Sequence, residues 1–161
     1  MKIKIIALVT FGIALLLAFI FWNRVILPTT LIENHGAEMK AVLVRYWNVS
    51  LDKSTVDDPS KLATVATGEA LKDRLSSLPF LAATKYTDYL KSAEVVRVIE
   101  YTPTCSHIEA RVEHAPGFFR FHFFFVQEAG DWKVAYVYQI LPQPDFAPPD
   151  EPRKSCSDFA Q

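Results

Sequence analysis

From residue 106 to residue 141, apolar and polar side chains alternate with a period of two, the mark of strands with one buried face. Ile108, Ala110 and Val112 fall on one side; His107, Glu109, Arg111 and Glu113 fall on the other. Two short breaks, Pro116-Gly117 and Ala129-Gly130, divide the stretch into strands over 106–115, 118–128 and 131–141 joined by tight hairpins. With Pro116-Gly117 as the turn, Val112 pairs with Phe121, Ala110 with Phe123 and Ile108 with Phe125. Glu113 then meets Arg120, and Arg111 meets His122, on the opposite face. Carried through Ala129-Gly130, the register sets Phe125 beside Val134, Phe123 beside Tyr136 and Phe121 beside Tyr138. A slip of one residue would turn all of these side chains over, so the pattern specifies a single buried face. A fourth strand is predicted over 94–101 from Val95, Val96, Val98 and Ile99. Two parities are open for it: Val95, Ile99 and Tyr101 inward, or Glu100 inward.

Helical spacing dominates the first half of the chain. Residues 5–22 carry no charge and, at about 1.5 Å per residue, are just long enough to span a bilayer's hydrocarbon core. Lys2 and Lys4 precede the run, Trp22 closes it, and Pro28 predicts the end of that helix. A cleaved signal would end in small residues, whereas this run ends Phe19-Ile20-Phe21-Trp22, so an uncleaved anchor is expected. The basic residues before the run outweigh Arg24 and Lys40 beyond it. They favour a cytoplasmic N-terminus with the domain on the exported side. Residues 29–51 read as an amphipathic helix with Met39, Val42, Leu43, Tyr46 and Trp47 on one face. Asp58-Pro59 reads as a helix start, with Gly68 as its left-handed end. A further helix follows from Glu69, closed by Pro79. Helices followed by an antiparallel meander predict an α+β fold: a transmembrane helix, then helices packed on one face of a curved four-stranded antiparallel sheet. The expected units are residues 1–28 as anchor and flank, 29–141 as the domain, and 142–161 as an extended tail. Five prolines between residues 142 and 152 exclude helix and ladder pairing there.

Composition narrows the function classes. With 17 basic and 18 acidic residues and no basic stripe, the chain has no electrostatic footprint for a nucleic acid. There are two cysteines, Cys105 and Cys156, and no Cys/His spacing typical of zinc, so neither a metal nor a cofactor is predicted. In an exported domain these two form the available disulfide, which would draw the tail back across the sheet edge.

The opening helix with Tyr46-Trp47, the segment Ala66-Thr67-Gly68-Glu69-Ala70-Leu71 and the closing strand Gly130-Asp131-Trp132-Lys133-Val134 carry a resemblance. Over residues 31–141 the chain resembles the nuclear-transport-factor-2-like superfamily of SnoaL-like or cystatin-like α+β cones. More narrowly, it looks like the membrane-tethered IMS-type domains of plastid division proteins. The resemblance implies a cone that hosts isomerases, dehydratases, transport factors or structural membrane-tethered modules. The fold alone does not choose among them.

Enzymes of that fold place acid–base groups inside the cone, where the predicted register puts no carboxylate. His114, Tyr136, Tyr138 and Trp47 are the candidate residues for a small apolar ligand in the cone. The better reading of His114 is a rim histidine at a strand end. No catalytic set is predicted. The outer face gathers Arg111, Glu113, Phe118, Arg120, His122 and Phe124. Apolar groups among charges suggest a contact patch for a protein partner or a second copy of the chain. The sequence therefore predicts a non-catalytic, membrane-anchored accessory or scaffold domain held to the bilayer through residues 5–22. A ligand-binding or isomerase/dehydratase-like cone is the alternative.

Overall fold

The computed structural model describes residues 2–83, 90–114, 117–140 and 152–159. The chain is α+β: a long apolar helix at the N-terminus, further helices, and a curved, open four-stranded antiparallel sheet. Helix α1 (Lys2–Phe21) does not end before Pro28. It passes through a π-helical turn, Trp22–Ile26, into α2 (Leu27–Leu51). Proline is tolerated because it sits at the start of α2, directly after the π-helical turn. The Leu27 N–H reaches back five residues to the Trp22 carbonyl. Thr29 and Thr30 donate their hydroxyls to the carbonyls of Val25 (2.8 Å) and Ile26 (3.0 Å). Phe11, Leu17, Phe19 and Trp22 are exposed, and this helix is long and apolar enough to cross a membrane.

The second half of α2 behaves as its pattern predicts: Met39, Val42, Leu43, Tyr46 and Trp47 are buried against the sheet, while Lys40, Arg45 and Asn48 are exposed. Beyond a single helical turn, α3 (Ser54–Asp57), the predicted helix at Asp58-Pro59 is a 3₁₀ helix, Pro59–Thr64. It buries Leu62 and leads Val65 and Ala66 into the core. Gly68 is left-handed (φ +53°), but it opens α4 (Gly68–Ala83) rather than ending the preceding helix. Pro79 lies inside α4. The carbonyl it leaves without a donor belongs to Leu75 on an exposed face, where water can satisfy it.

The sheet runs β1 (Leu90–Tyr101), β2 (Cys105–His114), β3 (Gly117–Glu128) and β4 (Asp131–Ile140), paired in that order. The β2–β3 register is displaced by two residues from the expected one: Ile108 faces Phe123, Ala110 faces Phe121 and Val112 faces Phe119. Gly117 joins the ladder opposite His114, so the two-residue loop is 115–116, which lies outside the described residues. A shift of two keeps every side chain on its face, but Arg111 now opposes Arg120, and Glu109 opposes His122. The β3–β4 turn has positive φ at Ala129 (53°) and Gly130 (89°), as a two-residue hairpin requires.

Bulges decide the faces of the outer strands. In β4 the Phe125–Val134 pair stands as expected, but the next pair is Phe124–Tyr136, leaving Ala135 as an extra residue. Tyr136 and Tyr138 therefore turn to the outer face and Val137 turns inward, the reverse of the predicted parity. β1 follows neither simple parity. Its bulges bring Ala93, Val95 and Val98 inward opposite Val112, Ala110 and Ile108. One stretch of β4 is closed by Val65 and Thr67, which exchange backbone hydrogen bonds with Val134.

Phe123 is fully buried, with Tyr46 edge-on at 6.2 Å and Phe121 and Phe125 on either side. Phe123→Ala is expected to lower unfolding stability by about 3–5 kcal/mol. Phe80→Ala, on exposed α4 surface, should stay within about 0.5 kcal/mol of the parent chain. Urea unfolding of the full chain in mild detergent, followed by tryptophan fluorescence, checks both.

Candidate functional site

On the sheet face away from the helices, the registers line side chains into rows across the strands. Nearest the β1–β2 turn runs Glu100–His107–Phe124–Tyr136; next come Arg97–Glu109–His122–Tyr138 and Glu94–Arg111–Arg120–Ile140. Ser92–Glu113–Phe118 lies nearest the β2–β3 hairpin. The bulges in β1 and β4 bring Arg97, Tyr136 and Tyr138 into these rows.

Glu109 is the centre of this face. Its carboxylate is buried and carries two arginines: Arg97 Nη2 at 3.3 Å and Arg120 in a charge-assisted hydrogen bond. A buried carboxylate is tolerated only when paired in this way. Both arginines keep much of their side chains in solvent. Arg120 and Arg111 are directly opposed like charges, an unfavourable juxtaposition. It is relieved because Arg120 turns toward Glu109 while Arg111 lies over the Phe118 ring, 4.3 Å from its centroid. Among the described residues Arg111 makes no ion pair.

Beside Glu109, His107 Nε2 and His122 Nδ1 are 2.9 Å apart, both rings buried, and His107 stacks on Phe124 at 4.0 Å. Burial, then the neighbouring His122 and the Arg97 charge, push the His107 imidazole down to about 3. It is neutral at physiological pH and serves as a hydrogen-bonding core residue. Among the described residues, no cluster of three or more His, Cys, Asp or Glu side chains is arranged to hold a metal ion.

The turn end of the same face is covered by the chain's own C-terminal segment. Cys156 is disulfide-bonded to Cys105, and its N–H donates to Glu100 Oε2 (3.2 Å). Phe159, at the end of a 3₁₀ turn (Cys156–Phe159), packs on Phe124 (5.2 Å) and Tyr136 (6.5 Å). Lys154 spans from the Tyr136 ring to Glu69 on α4. Residues 152–159 thus lie over the face of the sheet, not along its edge as expected; 142–151 lie outside the described residues. Both sulfurs are buried, so a reductant meets them only after the segment lifts.

The predicted interaction residues divide accordingly. Arg111, Phe118 and Arg120 are exposed, Glu113 is half-buried, and His122 and Phe124 are buried in the domain. The predicted ligand set does not assemble. Tyr136 and Tyr138 face outward, Trp47 is in the core against Phe121 (5.7 Å), and the His114 side chain lies outside the described residues. Glu109 and His107 were legible as outer-face residues from the alternation, yet their joining to Arg97 depends on a bulge that no periodicity announces.

Helix α2 orients this face relative to the apolar helix. His35 stacks on Tyr101 at 3.5 Å, and Glu38 accepts hydrogen bonds from Tyr101 Oη (3.2 Å) and Trp132 Nε1 (3.0 Å). The part of α2 nearer the apolar helix therefore lies at the β1–β2 and β3–β4 turns. Trp47, about 35–40 Å along the helix axis from Trp22, lies toward the β2–β3 hairpin. Arg111, Phe118 and Arg120 stand at the end of the domain remote from the apolar helix.

No family model matches this chain, and no curated protein matches it.

Between pH 6.5 and 3 an unfolded chain protonates residue 107 while the folded one does not, so stability rises with pH across that window. Lowering the pH from 6.5 should cost up to about 1.4 kcal/mol per unit at this site. His107→Gln is expected to flatten the dependence of the urea midpoint between pH 6.5 and 5, where most carboxylates are still ionised. Cys156→Ser removes a cross-link between residues 51 apart in sequence, with an expected stability loss of about 4 kcal/mol on the chain-entropy model. Hydrogen exchange should accelerate at Phe124 and Tyr136 in the variant, and the disulfide of the parent chain should resist dithiothreitol under native conditions.

Proposed function

We propose that this chain is a single-pass membrane protein whose α+β domain is a non-catalytic accessory or scaffold module, holding a protein partner or a second copy near the membrane. The observation that carries this reading is the exposed Arg111–Phe118–Arg120 cluster, which sits at the end of the domain remote from an unbroken helix reaching back to the apolar segment. A continuous helix couples anchor and domain without a flexible linker, so the cluster is presented at a set distance from the bilayer. Exposed arginine flanked by aromatic surface is the composition of interface centres.

A buried disulfide suits an oxidising compartment, and the basic residues before the apolar run favour a cytoplasmic N-terminus. Both support placement of the domain on the exported side. The arrangement of an opening helix and short helices over a curved antiparallel sheet is compatible with a nuclear-transport-factor-2-like cone. Within that fold, the inner face is filled by Phe121, Phe123, Phe125, Tyr46 and Trp47. The tyrosines that would have lined a ligand cavity face the other way. That packing favours the structural-module reading over the ligand-binding one.

The test is site-specific photo-crosslinking in native membranes, with a benzophenone amino acid in place of Phe118 or, as control, Phe80 on α4. A discrete protein adduct from the Phe118 position, absent from the Phe80 position, is the expected outcome. Capture of lipid alone, or equal adducts at both positions, would overturn the proposal.

A further inference from the structure

We infer that the arginine row at the hairpin end of the outer face docks an acidic segment of a partner protein. One carboxylate enters between Arg111 and Arg120, and an adjacent apolar side chain lies on Phe118 and Val96. The inference rests on the interaction-module reading and deepens it by naming the partner's chemistry.

The surface there is a groove of about 570 Å³ lined by Glu94, Val96, Arg111, Phe118, Phe119 and Arg120. Phe118 and Val96 are among the exposed large hydrophobic residues of the domain, so the groove offers apolar contact beside its charges. Each guanidinium carries five N–H donors in a planar fork. Glu109 engages Arg120 and Arg97 from beneath, and their exposed side chains leave further donors directed to solvent. Arg111 is held over Phe118 without an ion pair among the described residues. The arginines are therefore ordered before any partner arrives, which lowers the entropy cost of binding.

Charge sets the class of partner. Arg97, Arg111 and Arg120 face the carboxylates of Glu94 and Glu109, which leaves one uncompensated positive charge. That matches a single carboxylate and opposes a polyanion, because Glu94 at the β1 side of the groove would repel a second negative group. The chain's own bilayer is a poor occupant, since the groove sits at the end of the domain away from the apolar helix. An acidic protein segment with a neighbouring apolar residue satisfies both the charge and the exposed rings.

Fluorescence anisotropy on the full chain in phosphatidylcholine nanodiscs tests this. The probe is a fluorescein-labelled, C-terminally amidated peptide with one acid, Gly-Glu-Phe-Leu-Gly-Gly, compared with its Gln-for-Glu counterpart. The acidic peptide should bind more tightly by about tenfold or more. Arg111→Gln should erase that preference; Arg111 makes no ion pair among the described residues, and circular dichroism checks that the variant is folded. Phe118→Ser should weaken both peptides and leave the preference between them. Equal affinity for the two peptides, a preference that survives Arg111→Gln, or Arg111-dependent binding of phosphatidylglycerol vesicles in place of the acidic peptide would each overturn the inference. A Phe118 crosslink that persists when the acidic preference is absent would leave the interaction module standing and remove only its acidic partner.

Discussion

Tyr46 and Trp47 on α2 meet Phe123 and Phe121 on β3 within a core that also holds Met39, Leu43 and Phe125, and the rest of the structure depends on that contact. Three phenylalanines at alternate positions present one apolar ridge, and an amphipathic helix supplies the matching stripe. Burying such side chains contributes roughly 1.5–3 kcal/mol each. The contact also sets direction. α2 is the continuation of the apolar N-terminal helix, so packing it along the sheet determines which end of every strand lies away from that apolar helix.

The outer face follows a different logic, because its central residue is a charge. Glu109 is buried, and a lone carboxylate there would cost several kcal/mol of lost hydration. Arg97 and Arg120 offset that cost, and the hydrogen-bonded pair His107 and His122 fills the same layer beside them. Holding Arg120 against Glu109 leaves its opposite number, Arg111, to lie on Phe118. The exposed cluster is thus a by-product of satisfying a buried acid, and its rigidity has the same origin.

The C-terminal segment completes the division of that face. Eight residues are ordered by one disulfide, one amide hydrogen bond, one cation bridging an acid and a ring, and the seat of Phe159. Fixing that many backbones costs about 1–2 kcal/mol apiece, more than those non-covalent contacts return. The cross-link is what makes the cover persistent. It closes the turn end of the sheet face and leaves the hairpin end open, so one face has a permanently covered half and an accessible half.

Much of this was legible in the sequence because it depends on local periodicity. The apolar run near the N-terminus, the stripe of α2, the alternation of β2 and β3, and the Ala129-Gly130 hairpin each depend on residues close in sequence. The sulfur pair followed from there being only two cysteines. What the sequence did not determine were the places where one residue breaks a period. Ala135 is an ordinary apolar residue in an apolar strand, yet as a bulge it moves Tyr136 and Tyr138 to the opposite face; the β1 bulges bring Arg97 to Glu109 in the same way. Pro28 and Pro79 were read as stops because their missing donors are local facts. Helices ran through them because a π turn leads into Pro28 and the carbonyl deprived by Pro79 lies on an exposed face. By itself the sequence determined the element types and the side chains available to each face. Tertiary structure alone decided the register, the bulges and therefore which charges meet, since those depend on pairings between segments far apart in the chain, where curvature and burial outweigh local preference.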